Sequence, residues 1–360
     1  MSASWFHYVI TCVLALVVYL ACVNNTEANS QDYIPENPFY DWKRGWHAGS
    51  YYGLDNIIQF QGEKRHMAYY WGKLCSTLPE SDVLDFLLCC VHAAVEVDEF
   101  DPQHVKWHVL PTDFPLDPSK VHEVTDSFPR FHHWTTISDL IGTEHLRAER
   151  CILLMWLATT FQYQIFAAQG DLYVAEIPSL TQFIQLSSET WRHLDFENLV
   201  AAKCGKGGHA AFHGTPAINL LNILCKGLKA KRKSVYYAAD PELSLNYIYF
   251  RGGEYNKKSM GIMRGWRNSA FQNVAVLLGV EVATTKVDWY PLDEYRMGKC
   301  STDEIAVRHL FLIPEDDFKA SIKREETARK RVSVYQGSDA REAMENIYPH
   351  IHEELYTVAY

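Results

Sequence analysis

Ala211-Phe212-His213-Gly214-Thr215, followed at 234–248 by Ser-Val-Tyr-Tyr-Ala-Ala-Asp-Pro-Glu-Leu-Ser-Leu-Asn-Tyr-Ile, is the stretch that decides how this chain folds. Residues 209–213 are predicted to form a strand. Gly214 lets the backbone turn and approach a ligand closely, because it has no Cβ. Thr215 is a good helix N-cap and Pro216 suits the first helical position. Ile218, Leu221, Cys225 and Leu228 then repeat as one apolar helical face, with Gly227 in a stop position. A short basic loop at 229–233 leads into a second strand, 234–239, and Asp240-Pro241 repeats the cap-plus-proline signature. On the helix that follows, Ser244 and Tyr247 are three apart and share a face. The unit is strand–helix–strand–helix, with His213, Tyr236, Ser244 and Tyr247 around one cleft. A single histidine beside glycine is usually structural and tyrosine pairs are usually core; the combination is what points to a site.

The rest of the chain bounds the reading. Its 360 residues are 48% hydrophobic, enough for a substantial core and two domains. With a net charge of −10 and no long basic run, nucleic acid is not an expected partner. Trp5–Val23 contains no charged side chain and is long enough for a short membrane span. It reads either as a cleaved secretory signal or as a retained anchor, in residues 1–28. The expected location is a membrane, at the endoplasmic reticulum or in the secretory pathway, with secretion after cleavage the alternative. Of nine cysteines, two lie in this leader, and no C-x-x-C pair exists. Buried thiols are expected rather than a zinc framework or a disulfide scaffold.

Residues 29–60 read as an irregular linker, and Ser81 opens a helix with Asp82 in its first turn. The prolines of 100–142 suggest loops, and Thr143 is predicted to cap a long helix running through Ala168 to Gly170. The uncharged part of that helix, 151–168, is weighed as a second membrane span. Gln162 and Gln164 favour a buried domain helix. Beyond Gly170, 273–282 and 304–313 are β-branched strands. Residues 319–332 are expected to be a charged exposed helix, followed by a polar tail to 360. The expected class is α+β: linker and helical domain 29–170, sheet domain 171–318, and charged C-terminal segment 319–360.

The H-G-[ST] turn at 213–215 and the pattern Y-x-A-x-x-x-x-x-S-x-N-Y at 236–247 resemble the NAD signature of the poly(ADP-ribose) polymerase family. These are diphtheria-toxin-like ADP-ribosyltransferases. Gly265-Trp266, V-A-V-L-L-G-V-E-V at 274–282 and R-H-L-F-L-I at 308–313 are similar to the membrane-anchored, mono-ADP-ribosylating branch. The likeness covers about 100 residues, from Ala211 to Pro314. It implies a split antiparallel sheet that takes NAD as a substrate, without a metal, and transfers ADP-ribose to an acceptor protein, possible acceptors including the chain itself. The resemblance assigns His213 to the 2′-hydroxyl of a ribose, Gly214 and Ser244 to the nicotinamide carboxamide, and Tyr236 and Tyr247 to the two faces of the ring. Stacking and cation–π attraction to a pyridinium contribute about 0.5–2 kcal/mol per ring. The resemblance also implies a glutamate at the opening of a late strand, and Glu294-Tyr295 matches it, while a shifted register puts Tyr295 or Arg296 there. His213, Tyr236 and Glu294 are therefore the catalytic candidates. A non-catalytic NAD or ADP-ribose scaffold at a membrane is the alternative.

Other signals are weaker. Cys204-Gly-Lys-Gly-Gly lacks the G-K-[ST] of a phosphate loop and reads as a plain turn. His104 with His108, and His132 with His133, lack a third ligand at sensible spacing.

Overall fold

The computed structural model describes residues 81–95, 110–130, 146–161, 165–186, 190–205, 207–230, 234–248, 261–284, 286–287, 289–292, 295–319 and 337–358. In chain order the elements are α1 (Ser81–Ala94), α2 (Val121–Asp126), α3 (Arg147–Thr160), β1 (Ile165–Ala167), β2 (Thr181–Gln185) and α4 (Thr190–Lys203). Next come β3 (His209–Gly214), α5 (Leu220–Lys226), β4 (Val235–Ala238), α6 (Pro241–Ile248) and β5 (Ile262–Met263). The last are β6 (Val274–Val282), β7 (Tyr290–Leu292), β8 (Tyr295–Cys300), β9 (Ile305–Pro314) and α7 (Gly337–Val358).

Among the described residues the strands form one nine-stranded sheet in the order β1-β2-β9-β6-β3-β4-β8-β7, with β5 also on β6. Every pairing is antiparallel. Helices with an antiparallel sheet make the α+β class the observed one. Every residue of β6 is buried, which is why it reads as an unbroken apolar run and not as an alternation. Alternation instead sorts its side chains between two cores. Val276, Leu278 and Val280 join Leu84, Leu87, Leu153, Leu157, Leu220 and Leu224 of α1, α3 and α5. Ala275 and Leu277 join Leu245, Ile248, Met344, Tyr348 and Ile351 of α6 and α7.

This arrangement corrects three expectations. The helices of the first half do not segregate: α1 and α3 share one core with the sheet. The long helix expected to run through Ala168 ends at Thr160. Phe161 leaves the helical conformation, and 165–167 pair with β2 as a strand. A non-local partner overrides the helical periodicity there. At 14 residues, α3 is also too short to span a bilayer. The expected polar tail is in fact α7, whose Ala340, Met344, Ile347, Tyr348 and Ile351 form a buried stripe at helical spacing. Charged residues between those positions dilute the signal in the sequence.

The leader 1–28, the linker 29–60, Thr143, His104, His108, His132, His133 and the segment 320–336 lie outside the described residues. Among the described residues, no helix is long and apolar enough to cross a membrane. Among the described residues no cysteine is in a disulfide, and Cys89, Cys90 and Cys225 are buried. One buried carboxylate ties the helical side to the sheet side. Asp85 of α1 accepts from Trp266 Nε1 at 2.7 Å and from the Ala270 amide at 2.8 Å, which fixes the loop leading into β6. Burial raises its pKa, and these donors oppose that shift.

Candidate functional site

β3 follows β6 along its whole length, from His209 to Gly214, but meets β4 only at Phe212 opposite Ala238. His213, the next residue of β3, reaches β4 with its side chain. Its Nδ1 lies 2.8 Å from the backbone oxygen of Tyr236. A carbonyl oxygen can only accept, so Nδ1 carries the proton and donates. Burial lowers the pKa of this half-buried ring, and the bond to Tyr236 partly opposes the shift. Near neutral pH the imidazole is therefore uncharged, and Nε2 offers a lone pair to a hydroxyl donor.

One residue on, the backbone of Gly214 rests against that of Ser244. A Cβ at this position would overlap the Ser244 carbonyl oxygen. Close approach of strand to helix, not an unusual φ, is what requires glycine here. Gly214→Ala should push α6 away from β3, destabilising the fold by about 1–3 kcal/mol and disturbing every α6 side chain at the cleft. Thermal unfolding measures the first effect and ligand affinity the second; a wild-type melting curve with intact affinity would show that the contact is dispensable.

α6 begins at Pro241, as its sequence predicts, and lies over the same face of the sheet as Ala238 and Met297. Ser244 is 2% exposed and its backbone lies against Gly214, whereas Tyr247 is 47% exposed. The Tyr247 hydroxyl touches Met297 Sδ at 3.9 Å, and Met297 sits opposite Ala238 in the β4–β8 ladder. Tyr236, at 53% exposure, is two residues from Ala238 and so on the same face of β4. Exposed aromatics of this size are uncommon in a chain whose other large apolar side chains are mostly buried. Direct contacts thus join the His213 ring to the Tyr236 backbone and Gly214 to the Ser244 backbone, while Tyr247 reaches β8, the other neighbour of β4, through Met297.

The sequence missed Met297 and Lys299, which line β8 on the cleft face; only the strand register shows them there. It also misplaced a cap. Thr215 is buried, and its hydroxyl accepts from Asn219 Nδ2 at 3.2 Å. A 3-10 turn at Ala217–Asn219 follows, with Pro216 at its N-cap, and α5 starts only at Leu220. Pro216 in extended backbone delays the helix. Gly227 does terminate it, at φ 70°. Glu294 falls in the two-residue connection between β7 and β8, outside the described residues. Tyr295 opens β8, and Arg296 alternates to the face away from Met297 and Lys299. Among the described residues, no group of three or more His, Cys, Asp or Glu side chains could hold a metal ion.

The chain matches no protein-family model and no curated protein sequence.

Proposed function

We propose that the chain is an NAD-dependent protein ADP-ribosyltransferase that adds single ADP-ribose units to a side chain of an acceptor protein. The observation that supports this reading is local: at one end of β3 and β4 the His213 ring bonds the Tyr236 backbone, Gly214 packs on the Ser244 backbone, and Tyr247 of the same helix reaches Met297. Two exposed phenol rings suit an aromatic cation. A neutral imidazole with a free lone pair suits a ribose hydroxyl. In the reaction the bond from ribose C1′ to the nicotinamide nitrogen breaks, and its electron pair leaves with nicotinamide, which becomes neutral. The acceptor oxygen or nitrogen bonds to C1′ and gives up its proton. Between these events the sugar has oxocarbenium character, as in glycoside hydrolysis, so an anion nearby favours the transition state. By the resemblance, Glu294 supplies that anion.

One observation favours the second reading, a non-catalytic NAD or ADP-ribose binder. Met297 and Lys299, which β8 sets on the cleft face, are not acidic. The same experiment separates the two. Full-length protein incubated with adenylate-labelled NAD should become covalently labelled and release nicotinamide in equal amount. Saturable NAD binding without label or nicotinamide release selects the binder, and no NAD binding at all rejects both. Attachment to a membrane through residues 5–23 belongs to this proposal too, and partition of the full chain with membranes before and after carbonate washing tests it.

A further inference from the structure

A cation stands beside the aromatic pair. The antiparallel register of β4 and β8 sets Lys299 directly opposite Tyr236, and Met297 opposite Ala238. Opposed residues project from the same face, with Cβ atoms about 4.5–5.5 Å apart. Met297 is buried beneath the Tyr247 hydroxyl, but Lys299 is exposed. Among the described residues its ammonium engages no hydrogen bond or ion pair. A flexible four-carbon stem therefore carries its charge along the rim of the cleft.

Taken alone, that charge opposes the proposed ligand, because an ammonium repels a pyridinium at short range. The arrangement favours binding only if the ligand brings an anion together with its aromatic cation. NAD does so: its diphosphate is joined to the nicotinamide ribose through a single methylene. We infer that Lys299 binds the diphosphate of the dinucleotide, donating to its non-bridging oxygens while the nicotinamide stacks against Tyr236. This rests on the reading of His213, Tyr236 and Tyr247 as a nicotinamide–ribose site. The diphosphate takes no part in bond breaking, so the contact is equally strong in the ground state and the transition state. Its loss raises KM for NAD and leaves kcat nearly unchanged.

Binding of NAD, ADP-ribose and nicotinamide to the full chain tests this, in wild type, Lys299→Ala and Lys299→Arg. Lys299→Ala should weaken NAD and ADP-ribose alike, by about ten-fold, and leave nicotinamide unaffected. Lys299→Arg should keep most of the affinity. Added salt should narrow the gap between wild type and Lys299→Ala. Unchanged NAD affinity in Lys299→Ala, with normal wild-type binding, overturns the assignment of Lys299 alone. An effect confined to the dependence on acceptor concentration also overturns it, and moves the residue to the acceptor. Failure of the wild type to bind either NAD or ADP-ribose instead rejects the nicotinamide–ribose site on which the assignment rests.

Discussion

Glu281→Ala should lower the stability of the fold by about 3–5 kcal/mol, the usual consequence of stripping one partner from a buried ion pair. Four charged groups from four elements meet under α7: Glu197 of α4, Glu281 of β6, Arg308 of β9 and His352 of α7. Arg308 Nε donates to Glu281 at 2.8 Å, its second terminal nitrogen bonds Glu197, and Nη1 donates to the Leu186 carbonyl. Both ring nitrogens of His352 face carboxylates, Nδ1 toward Glu197 and Nε2 toward Glu281 at 2.9 Å. The Gly208 amide adds a further donor to Glu281 at 2.7 Å. With His352 protonated, two positive charges balance two negative ones. Burial alone would push the Glu281 carboxyl up, but Arg308 and His352 hold it at about 2. Burial likewise disfavours the imidazolium, yet Glu197 and Glu281 raise His352 to about 9. The sign of the pH dependence follows. The Glu281 contribution is complete above its ordinary 4.5 and fades as pH falls toward 2. The His352 contribution is complete below 6.5 and fades as pH rises through 9. Stability from this cluster is therefore greatest between about pH 4.5 and 6.5, and the loss on the alkaline side should vanish in His352→Gln. Denaturant unfolding across pH measures both effects. Glu281→Gln, which can still accept from Gly208, should fall between Ala and wild type. An unchanged midpoint in Glu281→Ala would mean that the cluster adds nothing to stability.

None of the four partners in that cluster could be paired from the sequence. Glu281 sits inside a run of nine buried strand residues, and Arg308 and His309 interrupt another apolar run. Such interruptions flag a buried charge without naming its counterion, because the counterions come from residues 111 and 71 positions away. What the sequence did show was local. The strand ending at Gly214, the stop at Gly227 and the proline start of α6 are each set by residues adjacent to the feature they control. The delayed start of α5 escaped because Pro216 serves equally well as a first helical residue and as an extended cap. The end of α3 escaped for a different reason. Residues 165–167 become strand only because Gln185, Ile184 and Phe183 lie beside them. Within the site, His213 and Tyr236 were legible as types at fixed spacing. The bond joining them runs from a side chain to a backbone oxygen 23 residues away, and no spacing rule encodes it. Met297 and Lys299 depend on strand register, the least local property of a sheet.

Replacing His213 by alanine should reduce ADP-ribosyl transfer by about 100-fold, the scale of loss when a substrate is misplaced by roughly an ångström. The fold should survive. His213 lies half-buried at the end of β3, and its one hydrogen bond to protein contributes about 1 kcal/mol. Tyr236 O, which loses its donor, stands next to an exposed side chain, so water can replace the missing N–H. A large loss of rate with little change in melting temperature is thus the expected pattern. The pH profile adds an independent readout. Burial holds the ring below its ordinary pKa, and only the neutral ring presents Nε2 as an acceptor. The acidic decline in transfer should therefore set in at lower pH than for an ordinary imidazole, as Nε2 becomes a donor and can no longer accept from a ribose hydroxyl. His213→Gln offers an amide that can donate to Tyr236 O while its oxygen accepts, so it should recover part of the rate without the acidic decline. Labelling with adenylate-labelled NAD, followed over pH for the three proteins, supplies every number needed. Should His213→Ala transfer ADP-ribose as fast as wild type, the ribose is not held by this imidazole, and the cleft between β3 and β4 has another ligand.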